Sequence, residues 1–346
     1  MIKQQLFGVH EGHEVHQYEL SNRNGMSVKI MTLGATITSL KVPNKQDSLT
    51  EVACGFDQLD GYFSDAYKAN APYFGCTVGR FASRIKDGKF AIDGVEYTLA
   101  TNDGPNHLHG GIKGLDKQIW VCVNELSSEV ADSITFQKTS EHMEEGFPGN
   151  VTIEVTFTLS QNNNLEISYH ATTDKKTPIS LTNHTYFNLS GFKETVGGHT
   201  AKILADSFLK ADPTNVPVGE IENVGGTVLD LKEGKKLAEV FEELETGCEH
   251  YFLFDEKDTL RNVASFNNDD TGITLEISTT EPGMLFYTGY FTSNELQRES
   301  GDQFGRYKAF CCETHRYPNG PNIDGAPKPF TTPEEPYTST TVYSFK

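Results

Sequence analysis

Strict alternation of apolar and polar residues constrains this chain more than any other feature. In Val151-Thr152-Ile153-Glu154-Val155-Thr156-Phe157-Thr158-Leu159 every odd position is apolar and every even one polar, the period of a strand with one buried face. Gln161-Asn162-Asn163-Asn164 turns the chain, and Leu165, Ile167, Tyr169 and Ala171 resume the alternation, so the two runs predict a hairpin. Residues 90–92 and 95–99 predict a second one across Asp93-Gly94, because Asp-Gly accepts the positive φ of a two-residue turn. Further strands are expected near 26–41, 134–138, 201–209, 273–279, 284–291 and 338–345. Helical signals are few: Asp230 as the cap of a helix over 231–244, and a single turn opening at Asp57-Gln58-Leu59-Asp60. The 31 glycines and 14 prolines are spread along the chain and punctuate strands instead of marking a linker. With no repeat and no composition break, residues 1–346 read as one large all-β, antiparallel sandwich.

The balance of 29 Lys and Arg against 48 Asp and Glu leaves a net charge of −19. That excludes nucleic acid as a natural partner, since phosphate neutralisation needs a basic surplus. Acidic membrane surfaces are disfavoured for the same reason, and no apolar run approaches the ~18 residues of a spanning helix. No apolar signal core follows Met1-Ile2-Lys3, so the expected compartment is the cytoplasm. Six cysteines, none in a CxxC pair, read as buried thiols of a reducing compartment. The histidines at 10, 13 and 16 read as an exposed hairpin edge instead of a metal patch.

Four segments carry more polar chemistry than strand propensity explains: 78–85 with Arg80, Ser83 and Arg84; 104–111 with His107, His109 and Gly110-Gly111; 181–191 with Asn183, His184 and Tyr186; and 310–322 with Glu313 and Arg316. On a strand, His107-Leu108-His109 would put both imidazoles on one face. That leaves a metal half-site, or one histidine facing a cleft while the other fills structure. Gly110-Gly111 would let the backbone approach a ligand closely. His184 among aromatics is either a satisfied core residue or a proton carrier. Glu313 behind Phe310-Cys311-Cys312 looks buried, and a buried carboxylate needs a reason: an ion pair with Arg84 or Arg316, or service as a base. A histidine acid and a carboxylate base, at reference values of about 6.5 and about 4.3, would suit chemistry near neutral pH. Motifs for serine hydrolases, P-loop enzymes and dinucleotide binding are absent from the sequence.

Together these segments resemble the galactose mutarotase (aldose 1-epimerase) family. The carriers are Arg84-Ile85 with Gly88, Leu108-His109-Gly110-Gly111 with Gly114-Leu115-Asp116-Lys117 and Trp120, and Gly146-Phe147-Pro148-Gly149. They continue with Thr182-Asn183-His184-Thr185-Tyr186-Phe187-Asn188-Leu189, Phe286-Tyr287-Thr288-Gly289 with Phe291, and Glu313-Thr314. The resemblance implies a β-supersandwich, a free aldose as substrate, interconversion of its α and β anomers, and no metal or organic cofactor. It assigns Glu313 as the base at the anomeric hydroxyl and His184 as the acid at the ring oxygen. His109 and Arg84 grip the sugar, and Tyr186 offers an aromatic face. A monomer or homodimer is expected. A non-catalytic sugar-binding module, a phosphohexose epimerase and a carbohydrate lyase or hydrolase are the competing classes. The retained His184/Glu313 pair disfavours the first, and the charge of −19 disfavours the second.

Three positions depart from the family pattern: Ser83 stands where asparagine is usual, Glu249 where aspartate is usual, and Leu285 where glutamine is usual. The leucine would leave one sugar hydroxyl facing a methyl group. The longer glutamate would crowd a hexose or meet a smaller sugar.

Overall fold

The computed structural model describes residues 2–254 and 259–346. Three antiparallel sheets carry the architecture. Residues Ile2–His10, His13–Ser21, Ser27–Met31, Thr36–Pro43 and Leu49–Glu51 form a five-stranded meander. A nine-stranded sheet holds the hairpin read from the sequence: Val151–Ser160 pairs with Asn164–Thr173, Val155 opposite Tyr169. Its odd-numbered residues from Val151 to Leu159 are all buried. The six-stranded third sheet runs Tyr186–Phe187, Phe310–Thr314, Gly283–Tyr287, Glu249–Leu253, Ser207–Ala211 and Pro217–Asn223 in spatial order.

The main core lies between the nine- and six-stranded sheets. Phe310 stacks on Phe266 at 4.5 Å between ring centroids, and Phe187 meets Tyr343 at 5.2 Å. Because side chains alternate across a strand, burying Phe187, Phe310, Cys312, Phe286 and Phe252 in that core turns Tyr186, Cys311, Glu313, Leu285, Tyr287, Glu249 and Tyr251 to the opposite face. Register aligns them in rungs. Tyr186, Cys311, Tyr287 and Glu249 lie side by side, and Glu313, Leu285 and Tyr251 form the next row.

Several local expectations change. The run 26–41 is two strands around a turn at Gly34, and 201–209 splits into strands of two different sheets. The helix expected over 231–244 is confined to Leu237–Glu243 with Lys236 at its cap. Gly234 at φ +85° breaks the chain before it, and Lys235–Lys236 pairs with Thr200 and Ala201 as strand. The turn at Asp57–Asp60 becomes a 3-10 helix, Leu59–Phe63. All six cysteines are free, five of them buried. His10 and His13 face each other across the first hairpin, and His16 pairs with Glu14 at 3.1 Å.

Gly110 explains how the 107–111 loop is pressed home. It sits at φ +86°, and a Cβ there would lie 1.8 Å from the Gly79 carbonyl oxygen. Its close approach is therefore to protein backbone and not to a ligand. Gly110→Ala combines left-handed strain with overpacking, together about 2–4 kcal/mol. Urea unfolding should show that loss as a lower midpoint, and an unchanged midpoint would mean that the loop is not clamped at this position.

Candidate active site

A cleft of about 390 Å³ opens over the polar face of the six-stranded sheet. Glu313 and Leu285 project from neighbouring strands, and Tyr186, Tyr287 and Glu249 lie one rung away. His184 arrives from the short strand Thr182–Asn183, which pairs with Thr77–Val78. The backbone there is locked by His184 N–H to the Cys76 carbonyl at 2.9 Å and Gly75 N–H to the His184 carbonyl at 3.0 Å. The cleft wall is completed by Tyr73, Ser83, Arg84, Asp103, His109, Asn215 and Phe291.

At the floor, His184 Nε2 lies 3.4 Å from Glu313 Oε1. Both side chains are removed from water, at 6% and 1% exposure. The other carboxyl oxygen, Oε2, is buried with no hydrogen-bond partner among the described residues. Neither arginine considered for Glu313 neutralises it directly. Arg84 donates from Nε to Asp103 at 2.6 Å and from Nη1 to Glu249 at 2.9 Å, while Arg316 donates to the Ile179 carbonyl and to Thr331. Burial raises the Glu313 carboxyl to about 8, with Glu249 adding to the rise and Arg84 opposing it. Burial lowers the His184 imidazole to about 3, helped by His315. The expected order, an ionised carboxylate beside a protonated imidazole, is thus inverted at rest. The pair shares one titrating proton, and it resides on the Glu313 carboxyl.

His109 leaves its strand with φ +52° and turns into the cleft, whereas His107 stays in the core with Nδ1 on the Ala100 carbonyl at 2.8 Å. The Ser83 N–H donates to His109 Nδ1 at 3.2 Å, and burial holds this imidazole neutral. Its proton therefore sits on Nε2. Ser83 thus acts through its backbone as well as lining the cleft. Donor atoms of His109, His184 and Glu313 lie within 4.8 Å of one another, a possible metal-ligating trio. For His109, however, one nitrogen is already accepting a bond and the other carries the proton, which suits a sugar hydroxyl better than a cation.

Tyr73 stacks on His184 at 5.8 Å, and Tyr186 stacks on it at 5.1 Å. Of the residues that sequence reasoning did not reach, Tyr73 and Asn215 carried no pattern. Asp103 was hidden in a turn-like run before Gly104-Pro105. Cys311 was legible in principle, two positions before Glu313 on one strand. Glu249 is held back on Arg84 with Asn215 3.5 Å from its free oxygen. Leu285 packs near Leu209, Tyr251 and Tyr317.

Residues 16–344 match the family described as aldose 1-epimerase. The galactose mutarotase of Bos taurus is 37% identical over 333 residues, covering 96% of this chain and 94% of the relative. The aldose 1-epimerase of Escherichia coli is 33% identical over 343 residues, covering 97% and 96%. The solved GalM/aldose epimerase homologue from C. elegans superposes with a TM-score of 0.85 at 32% identity, over 95% of this chain and 98% of that one. Galactose 1-epimerase from Lactobacillus acidophilus shares the fold at TM-score 0.84 and 23% identity, over 100% and 98%. With these relatives the chain is an isomerase acting on a sugar. The chain belongs to the aldose 1-epimerase family, and its activity is that of a mutarotase. No helix among the described residues is long and apolar enough to cross a membrane.

The raised Glu313 carboxyl has a thermodynamic sign. The folded chain keeps a proton that the unfolded chain releases between the ordinary 4.5 and about 8, so this group's contribution to stability falls as pH rises through that window. Glutamine cannot ionise. Glu313→Gln should therefore gain on the parent by about 1–3 kcal/mol at pH 8 and by little at pH 5. A urea midpoint difference that does not grow with pH would contradict the shift.

Proposed function

We propose that residues 1–346 act as one cytoplasmic aldose 1-epimerase domain in which Glu313 and His184 open and close the ring of a free aldose without a metal or organic cofactor. The observation that carries this reading is the isolated His184–Glu313 contact in a sugar-sized cleft, with one carboxyl oxygen unpartnered. Anomer exchange needs one proton removed from the anomeric hydroxyl O1 and one delivered to the ring oxygen O5. The Glu313 carboxylate takes the first while the His184 imidazolium gives the second, breaking the C1–O5 bond. The result is the open-chain aldehyde beside a neutral acid and a neutral imidazole. That neutral pair is the distribution which burial favours, so the low-dielectric floor assists ring opening. Rotation about C1–C2 and the reverse transfers give the other anomer. His109 Nε2–H, Arg84 and the Ser83 hydroxyl serve as sugar contacts, and the Tyr186 ring as an apolar wall.

Glu313→Gln and His184→Asn should each lower kcat by ~10²-fold or more, and together by less than the product, since both serve one event. In the parent, kcat/KM should stay level through neutral pH and fall above about 8, where the pair loses its shared proton. Optical rotation of freshly dissolved anomers measures all three quantities, and EDTA should leave them unchanged. A variant with the parent's kcat, or activity abolished by EDTA and restored by zinc, would overturn the assignment.

Substrate preference follows from the departures. Leu285 lies directly across the strands from Glu313 and continues into the apolar surface of Tyr251 and Leu209. A sugar hydroxyl held against it loses its partner, about 1–3 kcal/mol or roughly a factor of 5 to 150 in kcat/KM. The cleft therefore favours a pentose or deoxy sugar over galactose and glucose. Comparing kcat/KM for galactose, glucose, fucose, xylose and arabinose should show this order, and Leu285→Gln should raise galactose relative to fucose. A parent already led by galactose, with ranking unmoved by the substitution, would refute it.

A further inference from the structure

Proton exchange at His184 Nε2 leaves the other ring nitrogen unaccounted for. Nδ1 faces the Cys311 sulfur at 3.6 Å, and both groups are buried. Cys311 and Glu313 are two residues apart on the strand Phe310–Thr314, so the alternation places both on the cleft face. One strand thereby presents a sulfur to Nδ1 and a carboxyl to Nε2 of the same imidazole. Among the described residues, the other contacts of the ring are aromatic faces and a hydrogen bond to the backbone of residue 184 itself. Tyr73 and Tyr186 stack on it, and His109 meets it edge-on at 5.2 Å.

We propose that Cys311 is a positioning residue whose sulfur accepts the Nδ1–H of His184, so that Nε2 alone exchanges a proton with Glu313 and the sugar. The proposal rests on His184 being the acid at the ring oxygen. The balance is simple. The imidazolium enters the step with protons on both nitrogens, gives the Nε2 proton to O5 as the C1–O5 bond breaks, and keeps the Nδ1 proton. The neutral product is therefore the Nδ1–H tautomer. An acceptor at Nδ1 holds the ring in register before and after the transfer. A thiol sulfur is a weak acceptor, so it aligns the ring without holding its charge. A carboxylate in that place would stabilise the imidazolium and make it a poorer acid. Burial keeps the Cys311 thiol protonated, and Tyr186 shares a hydrogen bond with the sulfur.

Titratable groups that face His184 are Glu313 and Cys311 from one strand, Tyr186 from the neighbouring strand, Tyr73 and His109 from two loops, and His315 beyond them. Burial holds His109 well below its ordinary value, and it lowers His315 to about 4. Both stay neutral near pH 7.

The direct test is the ¹⁵N spectrum of histidine-labelled parent protein at pH 6.5, with His184 assigned by its absence from His184→Asn. The expected pattern is a protonated Nδ1 and an unprotonated Nε2. Cys311→Ala should lose that tautomer preference and lower kcat by roughly tenfold, the low end for a partner that orients a functional imidazole, with KM within about twofold. Cys311→Ser keeps an acceptor at Nδ1. It should restore the tautomer and most of kcat, and its harder oxygen should move the acid limb of the pH profile upward. A parent spectrum with the proton on Nε2, or Cys311→Ala with the parent's tautomer and kcat, would overturn the proposal. His184→Asn with the parent's kcat would instead remove the acid assignment on which it rests. A general loss of packing in Cys311→Ala would lower the melting temperature, and Cys311→Ser would then fail to recover kcat, which also counts against the proposal.

Discussion

Everything in the cleft answers to one costly group, the Glu313 carboxyl, buried against two neutral imidazoles, His184 and His109, with no cation paired to it among the described residues. An ionised carboxylate withdrawn from water costs several kcal/mol unless it is paired and hydrogen-bonded. The nearby arginine is already committed to Asp103 and Glu249. The fold therefore leaves Glu313 to hold a proton, and in the mechanism we propose a carboxyl that holds a proton beside a neutral imidazole is one transfer away from the charged pair that opens a sugar ring. A direct guanidinium contact would have made the group cheaper to bury and useless as a proton carrier.

The six-stranded sheet makes such a placement possible. Its core face is filled by phenylalanines from five strands, and that burial fixes register because a slip by one residue would exchange the two faces. Once Phe310, Cys312, Phe286 and Phe252 are inside, the positions of Cys311, Glu313, Leu285, Tyr287, Glu249 and Tyr251 follow without further instruction. His184, Tyr73 and His109 come from outside this sheet, on chain held by backbone bonds between segments far apart in sequence. Packing in one layer thus sets where Glu313 meets His184 in another.

Much of this could be read from residues alone, for identifiable reasons. Period-two runs such as 151–159 have a single solution, and the structure adopts it. Where alternation is broken the reading loses resolution: 26–41 holds a turn that its apolar content conceals. The apolar spacing over 231–244 suits a helix until Gly234 and the pairing of Lys235–Lys236 intervene. The motif around His184 and the carboxylate after Cys311-Cys312 were visible as chemistry. Their contact was not, because residues 184 and 313 meet only through tertiary packing. Charge order was the least legible part, since reference acidities describe groups in water and these two have almost none. His107 and His109 divide as one of their two readings had it, one leaving the strand through a positive φ into the cleft and the other filling structure.

Leu285 sits on a strand that supplies neither His184 nor Glu313. Substitution at this wall can redraw which sugars fit while His184 and Glu313 keep their places. A lineage can therefore wander across carbohydrate diets by exchanging single side chains, with the reaction itself passed on intact. The scaffold separates heredity of chemistry from heredity of taste.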